Sequence, residues 1–194
     1  MAKATKRPAR KMKRKRARRP YQQGDLDGLC GVYSVVNAVR LLCPELTGSD
    51  AEYLFDRIVQ SLDGAVANPT ACIVGGVGLR LVRCLLKEIA AELSAEYDIA
   101  LRVRRLPRNV RQSRSMSVVW QELTDTLSPT CVAIIGIYGW RSHWTVAQSA
   151  AEARLQLFDS CKMRTLRRSD CTVGRTSSRT GLSIPSVVLI ERRD

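Results

Sequence analysis

The sequence predicts an α+β domain with its helices first and an antiparallel sheet after them. Up to about residue 127, apart from an alternating stretch at 97–106, apolar residues recur at three- and four-residue spacing, the period of helices buried along one face. From residue 131 the pattern changes to short apolar or alternating runs separated by turn residues, as in strands joined by hairpins. Charge bounds the domain. Residues 1–20 hold 11 of the 32 Lys and Arg and none of the 18 Asp and Glu, so the net charge of +14 falls to +3 over residues 21–194.

Residues 1–20 lack apolar surface to bury and are expected to form a disordered basic tail. They read as a contact for nucleic acid or another polyanion, as a nuclear address, or as a solubilising segment. Without aromatics to stack on bases, they do not suggest single-strand recognition. Residues 21–194 are long enough for one domain with a sizeable core.

The first helix is expected from Cys30 to about Cys43, with Val32, Val35, Val36, Val39 and Leu42 as its buried stripe; Gly28 lets the chain bend into it and Pro44 stops it. Thr47, Gly48, Ser49 and Asp50 supply the start of a second helix running to about Leu62. Residues 63–76 read as a loop, and a third helix follows from about Val77 to Ala95. Tyr97–Leu106 alternates as a strand, with Ile99, Leu101 and Val103 on one side. After a basic loop at 107–114, Ser115 or Ser117 opens a fourth helix through Leu127.

The continuous apolar run Cys131–Ile137 predicts a strand covered on both faces. A turn at 139–142 leads to a strand at 143–148, and a loop at 149–153 to another at 154–159. Residues 160–182 look irregular, with a short strand near Met163–Leu166, and Val187–Ile190 forms the last strand.

Seven cysteines occur, an odd number with no C-x-x-C pair, which argues against a disulfide framework or a zinc ribbon. Reduced thiols and a cytoplasmic setting are expected; delivery as an effector is an alternative. No run is apolar enough to span a membrane, and no apolar segment follows the basic N-terminus as in a secretory signal.

The chemistry converges on three residues. Cys30 sits where a polar, glycine-containing loop enters a helix, and a helix N-terminus favours a thiolate. His143 is the chain's single histidine, so any mechanism needing an imidazole must use it. If strands 143–148 and 154–159 pair across the loop 149–153, His143 and Asp159 become direct cross-strand neighbours. Asp159 then orients the imidazole and His143 serves the thiol. Trp140 and Trp144 flank the histidine, either shielding an ion pair from water or filling the core.

The run Gln23–Ala38, with Ser142–Val146 and Leu157–Ser160, resembles the papain-like cysteine peptidase superfamily, nearest in style to compact bacterial peptidases that cleave bacteriocin leaders. The resemblance covers residues 22–45 and 130–160; Gly31 stands where the papain signature carries an aromatic after the nucleophile. It implies a papain-like fold, with Cys30 as nucleophile, His143 as base and then acid, and Asp159 as orienter. It also implies that a glutamine upstream of the cysteine, Gln23 or Gln22, joins the Cys30 amide in holding the oxyanion. The substrate would be a peptide or isopeptide amide in a protein or peptide, with no metal or cofactor. The same triad suits deamidation or acyl transfer. A non-catalytic protein binding nucleic acid or an acidic partner through its tail is the alternative of a different class.

Overall fold

A computed structural model describes residues 18–24, 27–65, 68–106, 115–138, 142–173 and 180–193. Most of the basic tail (1–17), the basic loop 107–114 and the turn residues 139–141, Trp140 among them, lie outside the described residues.

Helix α1 (Cys30–Leu42) is buried nearly all round. The valine stripe read from the sequence is only part of its packing surface, because α1 is sandwiched between other helices and the sheet. Helix α2 (Gly48–Ala65) begins with a reciprocal cap. Thr47 Oγ1 accepts from the Asp50 amide at 3.3 Å, while the Thr47 amide donates to Asp50 Oδ2 at 2.7 Å.

The loop expected over 63–76 instead contains a short helix, α3 (Pro69–Gly75). Its start is written in Asn68 and Pro69: the Asn68 side chain accepts from the Ala71 amide, and proline at the first helical position forfeits no needed hydrogen bond. Helix α4 (Leu79–Tyr97) ends at Asp98 in the left-handed conformation, φ 57°.

Strands β1 (Ala100–Leu106), β2 (Cys131–Tyr138), β3 (His143–Ala151), β4 (Arg154–Phe158), β5 (Thr165–Arg167), β6 (Cys171–Val173) and β7 (Thr180–Arg193) form one sheet, and helix α5 (Met116–Thr126) precedes β2. The sheet order is β1-β7-β2-β3-β4-β5 with β6 beside β7. All pairs are antiparallel except β6 with β7.

The last strand is much longer than Val187–Ile190. It runs between β1 and β2, and its ladder jumps from Val187 to Ser183 opposite Ile135 and Gly136. Pro185 falls in that interruption, where a residue without an N–H costs no ladder bond.

Alternation along β2 explains its unbroken apolar run. Val132 and Ile134 join α1, α2 and α4 in one core, while Cys131, Ala133, Ile135 and Ile137 join α5 in a second. The result is three layers, α1/α2/α4, sheet and α5. Among the described residues, no helix is long and apolar enough to cross a membrane.

Candidate active site

Cys30 is the first residue of α1, only 8% exposed, with its Sγ 3.8 Å from the Gly28 carbonyl oxygen. Leu29 at the cap position contributes no side-chain hydrogen bond, so the first-turn amides are left pointing out of the helix beside the thiol.

Two backbone contacts fix this junction. The Gly28 amide donates to the Ile73 carbonyl of α3 at 2.5 Å. A Cβ on Gly28 would lie 2.7 Å from the Gly76 amide nitrogen and 2.9 Å from the Val74 carbonyl oxygen. Glycine is required at 28 for close approach of two backbones, rather than for the bend the sequence suggested.

Gly31 is under the same constraint. A Cβ there would stand 2.1 Å from Val77 Cγ2 and 3.3 Å from Trp144 Cδ1. Trp144 belongs to the packing itself: its Nε1 donates to the Val77 carbonyl at 2.7 Å and its ring rests on the first core. Gly31→Ala is therefore expected to destabilise the fold by about 1–3 kcal/mol through overpacking, and to slow alkylation of Cys30 as the start of α1 shifts. Denaturant melts and thiol-alkylation rates measure both effects, and adding Val77→Ala should restore part of each. A Gly31→Ala protein as stable and reactive as the parent would contradict this packing.

His143 opens β3 and Asp159 follows the last residue of β4. The hairpin between them differs from the expected one. Its turn is Glu152-Ala153 and β3 runs on through Ala151, held there by pairing with β4 and by the Trp120 Nε1 hydrogen bond to the Ala151 carbonyl at 2.8 Å. His143 and Asp159 are thus not direct cross-strand neighbours.

Continued without interruption from its closing pair, Ala151 with Arg154, this hairpin would set Asp159 opposite Val146 and on the other sheet face from His143. A bulge at Gln148 restores the match. Beyond it Ala147 pairs with Leu157 and Val146 with Phe158. Asp159 then shares a face with His143 as a diagonal neighbour, and His143 Nε2 donates to Asp159 Oδ1 at 2.6 Å.

The Asp159 side chain is fully buried and His143's is 11% exposed. Asp159 Oδ2 accepts from the amides of Cys161 at 2.8 Å and Met163 at 3.0 Å, which pin the carboxylate. Burial pushes the Asp159 carboxyl up, but its hydrogen bond to His143, the imidazolium charge, the nearby Thr145 hydroxyl and the Met163 amide outweigh this and hold it below the usual range.

Burial likewise disfavours the charged form of His143, yet hydrogen bonds to Asp159 and Cys30 and the charges on both raise its pKa to about 9. With Nε2 on Asp159, Nδ1 is the nitrogen left for the thiol. The structure therefore brings Cys30, His143 and Asp159 together.

The two glutamines diverge. Gln22 is exposed and turns its amide to the carbonyls of Pro20 and Asp159, at 3.3 and 3.5 Å. Gln23 is half-buried beside the triad: its amide nitrogen donates to the Asp27 carbonyl, its side-chain oxygen lies 3.4 Å from Cys161 Sγ, and its backbone amide donates to the Ser160 carbonyl at 3.1 Å.

Two residues at this site escaped the sequence reading. Buried Asn37 clamps the Tyr21 backbone, accepting from its amide at 2.8 Å and donating to its carbonyl at 3.2 Å, and so aims the segment that carries both glutamines. Its signal was a polar residue seven positions after Cys30, on the same helix face. The other is Cys161, an exposed thiol two residues after Asp159. Its sulfur, a His143 ring nitrogen and an Asp159 oxygen all lie within 4.8 Å of one another. No protein-family model, curated protein or solved structure matches this chain.

Proposed function

We propose that the chain is a papain-like thiol hydrolase that cleaves peptide or isopeptide amides with Cys30, His143 and Asp159. The observation that carries this reading is His143 hydrogen-bonded to a buried carboxylate and set beside the thiol at the start of α1.

In the proposed cycle the Cys30 proton passes to His143, and the thiolate attacks the amide carbonyl carbon. The carbonyl oxygen takes up the electron pair and is held by the Cys30 amide and Gln23. As the tetrahedral intermediate collapses, the C–N bond breaks and His143 protonates the departing amine. Water then attacks the thioester, giving a proton to His143, and the carboxylic acid leaves as the thiol re-forms. Asp159 stabilises the imidazolium at each stage without taking its proton. No step calls for a metal or cofactor.

Gln23 is favoured over Gln22 as oxyanion donor because its amide group has a second N–H beyond the one on Asp27 and it lies against the cluster. Gln23→Ala is expected to lower kcat about 10²–10³-fold, the range for loss of one oxyanion donor, while Gln22→Ala stays near the parent. Equal effects of the two would remove the assignment.

Intact-mass measurement on peptide and isopeptide substrates tests the reaction class. Hydrolysis adds one water across a broken bond, deamidation exchanges an amide nitrogen for oxygen without chain cleavage, and transfer leaves the acyl group on the added amine. Products of the last two kinds only would displace hydrolysis. The tail's 11 basic residues support a salt-sensitive contact with nucleic acid or another polyanion. Seven free thiols suit a reducing, cytoplasmic setting.

A further inference from the structure

Cys161 has no part in the cycle above, although its thiol shares the triad's histidine and carboxylate. The three donor atoms, a thiol sulfur, an imidazole nitrogen and a carboxylate oxygen, lie within 4.8 Å of one another. These are the ligand types that zinc selects. At zinc bond lengths, ligand atoms of a tetrahedral site stand about 3.3–3.8 Å apart, so the His143–Asp159 pair, now 2.6 Å apart, opens to admit the ion while the Cys161 sulfur stays within reach.

The surroundings favour capture. Asp159 is fixed through its other oxygen by two backbone amides, which leaves Oδ1 to exchange its hydrogen bond with His143 for the metal. Cys161 is exposed and therefore reachable from solvent. Its sulfur is held near Gln23 Oε1 rather than buried in a core.

We propose that Cys161, His143 and Asp159 form a zinc(II) site and that zinc bound there silences the Cys30 thiol. The ion takes the place of the proton between His143 Nε2 and Asp159 Oδ1 and of the proton on Cys161, releasing both to solvent. Water completes the coordination. With Nε2 on the metal, the ring keeps its one remaining proton on Nδ1, facing Cys30, and can no longer take up the proton of the thiol, so Cys30 loses its base. The silencing rests on the thiol chemistry proposed above; metal binding does not.

The two parts separate experimentally. The reduced full chain, freed of metal, is titrated with Co²⁺ as a spectroscopic stand-in for zinc. One equivalent should produce a thiolate-to-cobalt charge-transfer band in the near ultraviolet and tetrahedral ligand-field bands in the visible; their absence overturns the site. Cys161→Ser should abolish the charge-transfer band and weaken Zn²⁺ about tenfold or more in competition with a chromophoric chelator, while circular dichroism stays unchanged. Cys30→Ser should keep the band. Loss of the band in Cys30→Ser with retention in Cys161→Ser overturns the ligand assignment.

Saturating Zn²⁺ should slow alkylation of Cys30 about tenfold or more in the parent and leave Cys161→Ser unaffected; equal rates with and without bound Zn²⁺ overturn the silencing. If the metal-free parent neither hydrolyses amides nor shows enhanced Cys30 alkylation, the hydrolase reading fails, while the cobalt spectrum still decides the metal site.

Discussion

Cys30→Ala is expected to abolish the proposed amide hydrolysis and labelling by a thiol-directed peptidyl electrophile, and His143→Ala to lower both by at least about 10²–10⁴-fold. The two substitutions fail for different reasons. Without Cys30 there is no atom to form the acyl bond. Without His143 the thiol has no acceptor for its proton and the leaving amine no donor. No other histidine occurs in the chain to stand in.

Cys30→Ala removes a single sulfur from the start of α1, where it contacts the Gly28 carbonyl and His143, so the fold should survive. Labelling of intact protein read by mass, with circular dichroism on the same samples, gives chemistry and fold together. Undiminished turnover in either variant would remove the triad.

Asp159→Asn is expected to cost activity out of proportion to stability. Cys161 and Met163 donate two amides to Oδ2, so the substituted side chain should keep its carbonyl oxygen there and turn its NH₂ toward His143. The ring must then accept at Nε2 and carry its proton on Nδ1, facing the thiol it should deprotonate. The same exchange in a serine triad costs about 10⁴-fold in kcat, and a loss of that order is expected here. Asp159→Ala leaves both amides and the imidazolium unpaired, so a larger destabilisation of about 3–5 kcal/mol should accompany its loss of activity.

The pH dependence follows from the same pair. His143 is raised from 6.5 to about 9 in the folded protein, so its protonation contributes about 3 kcal/mol of stability. That contribution is complete below pH 6.5 and is lost as pH climbs through 9. Asp159 is lowered, so its share is present above its ordinary pKa of 3.8 and disappears as pH falls beneath it. Urea unfolding between pH 5 and 10 should show the parent weakening over the alkaline half, and Asp159→Asn should flatten that slope. A parent whose stability is level from pH 6.5 to 9 would contradict the buried imidazolium.

Much of this was legible along the chain. Thr47 and Asp50 announced the reciprocal cap of α2, and the unbroken apolar run of β2 announced cover on both faces. α3 was less visible because Gly, Pro and Asn mark loops as well as helix starts; only the Asn68-Pro69 order separates the two. Residues 180–182 of β7 fall in the stretch that reads as irregular, yet β2 on one side and β6 on the other supply the ladder that makes them a strand.

By itself, the sequence determined which residues could do chemistry: a helix-start cysteine, the single histidine, and an aspartate one hairpin away. It also determined the element order, four helices, then β1, then α5 before the remaining strands, except for the short α3. Tertiary structure decided how those residues meet. The bulge at Gln148 sets the face on which Asp159 lies, and no local pattern marks it, because side-chain parity in a hairpin depends on which pairs of the ladder are interrupted. Tertiary structure also decided that Gly28 and Gly31 leave room for Gly76 and Val77, that Asn37 aims the glutamine segment, and that Cys161 shares the histidine. These are contacts between residues distant in sequence or brought together by a turn, so they appear only once the sheet and helices have packed.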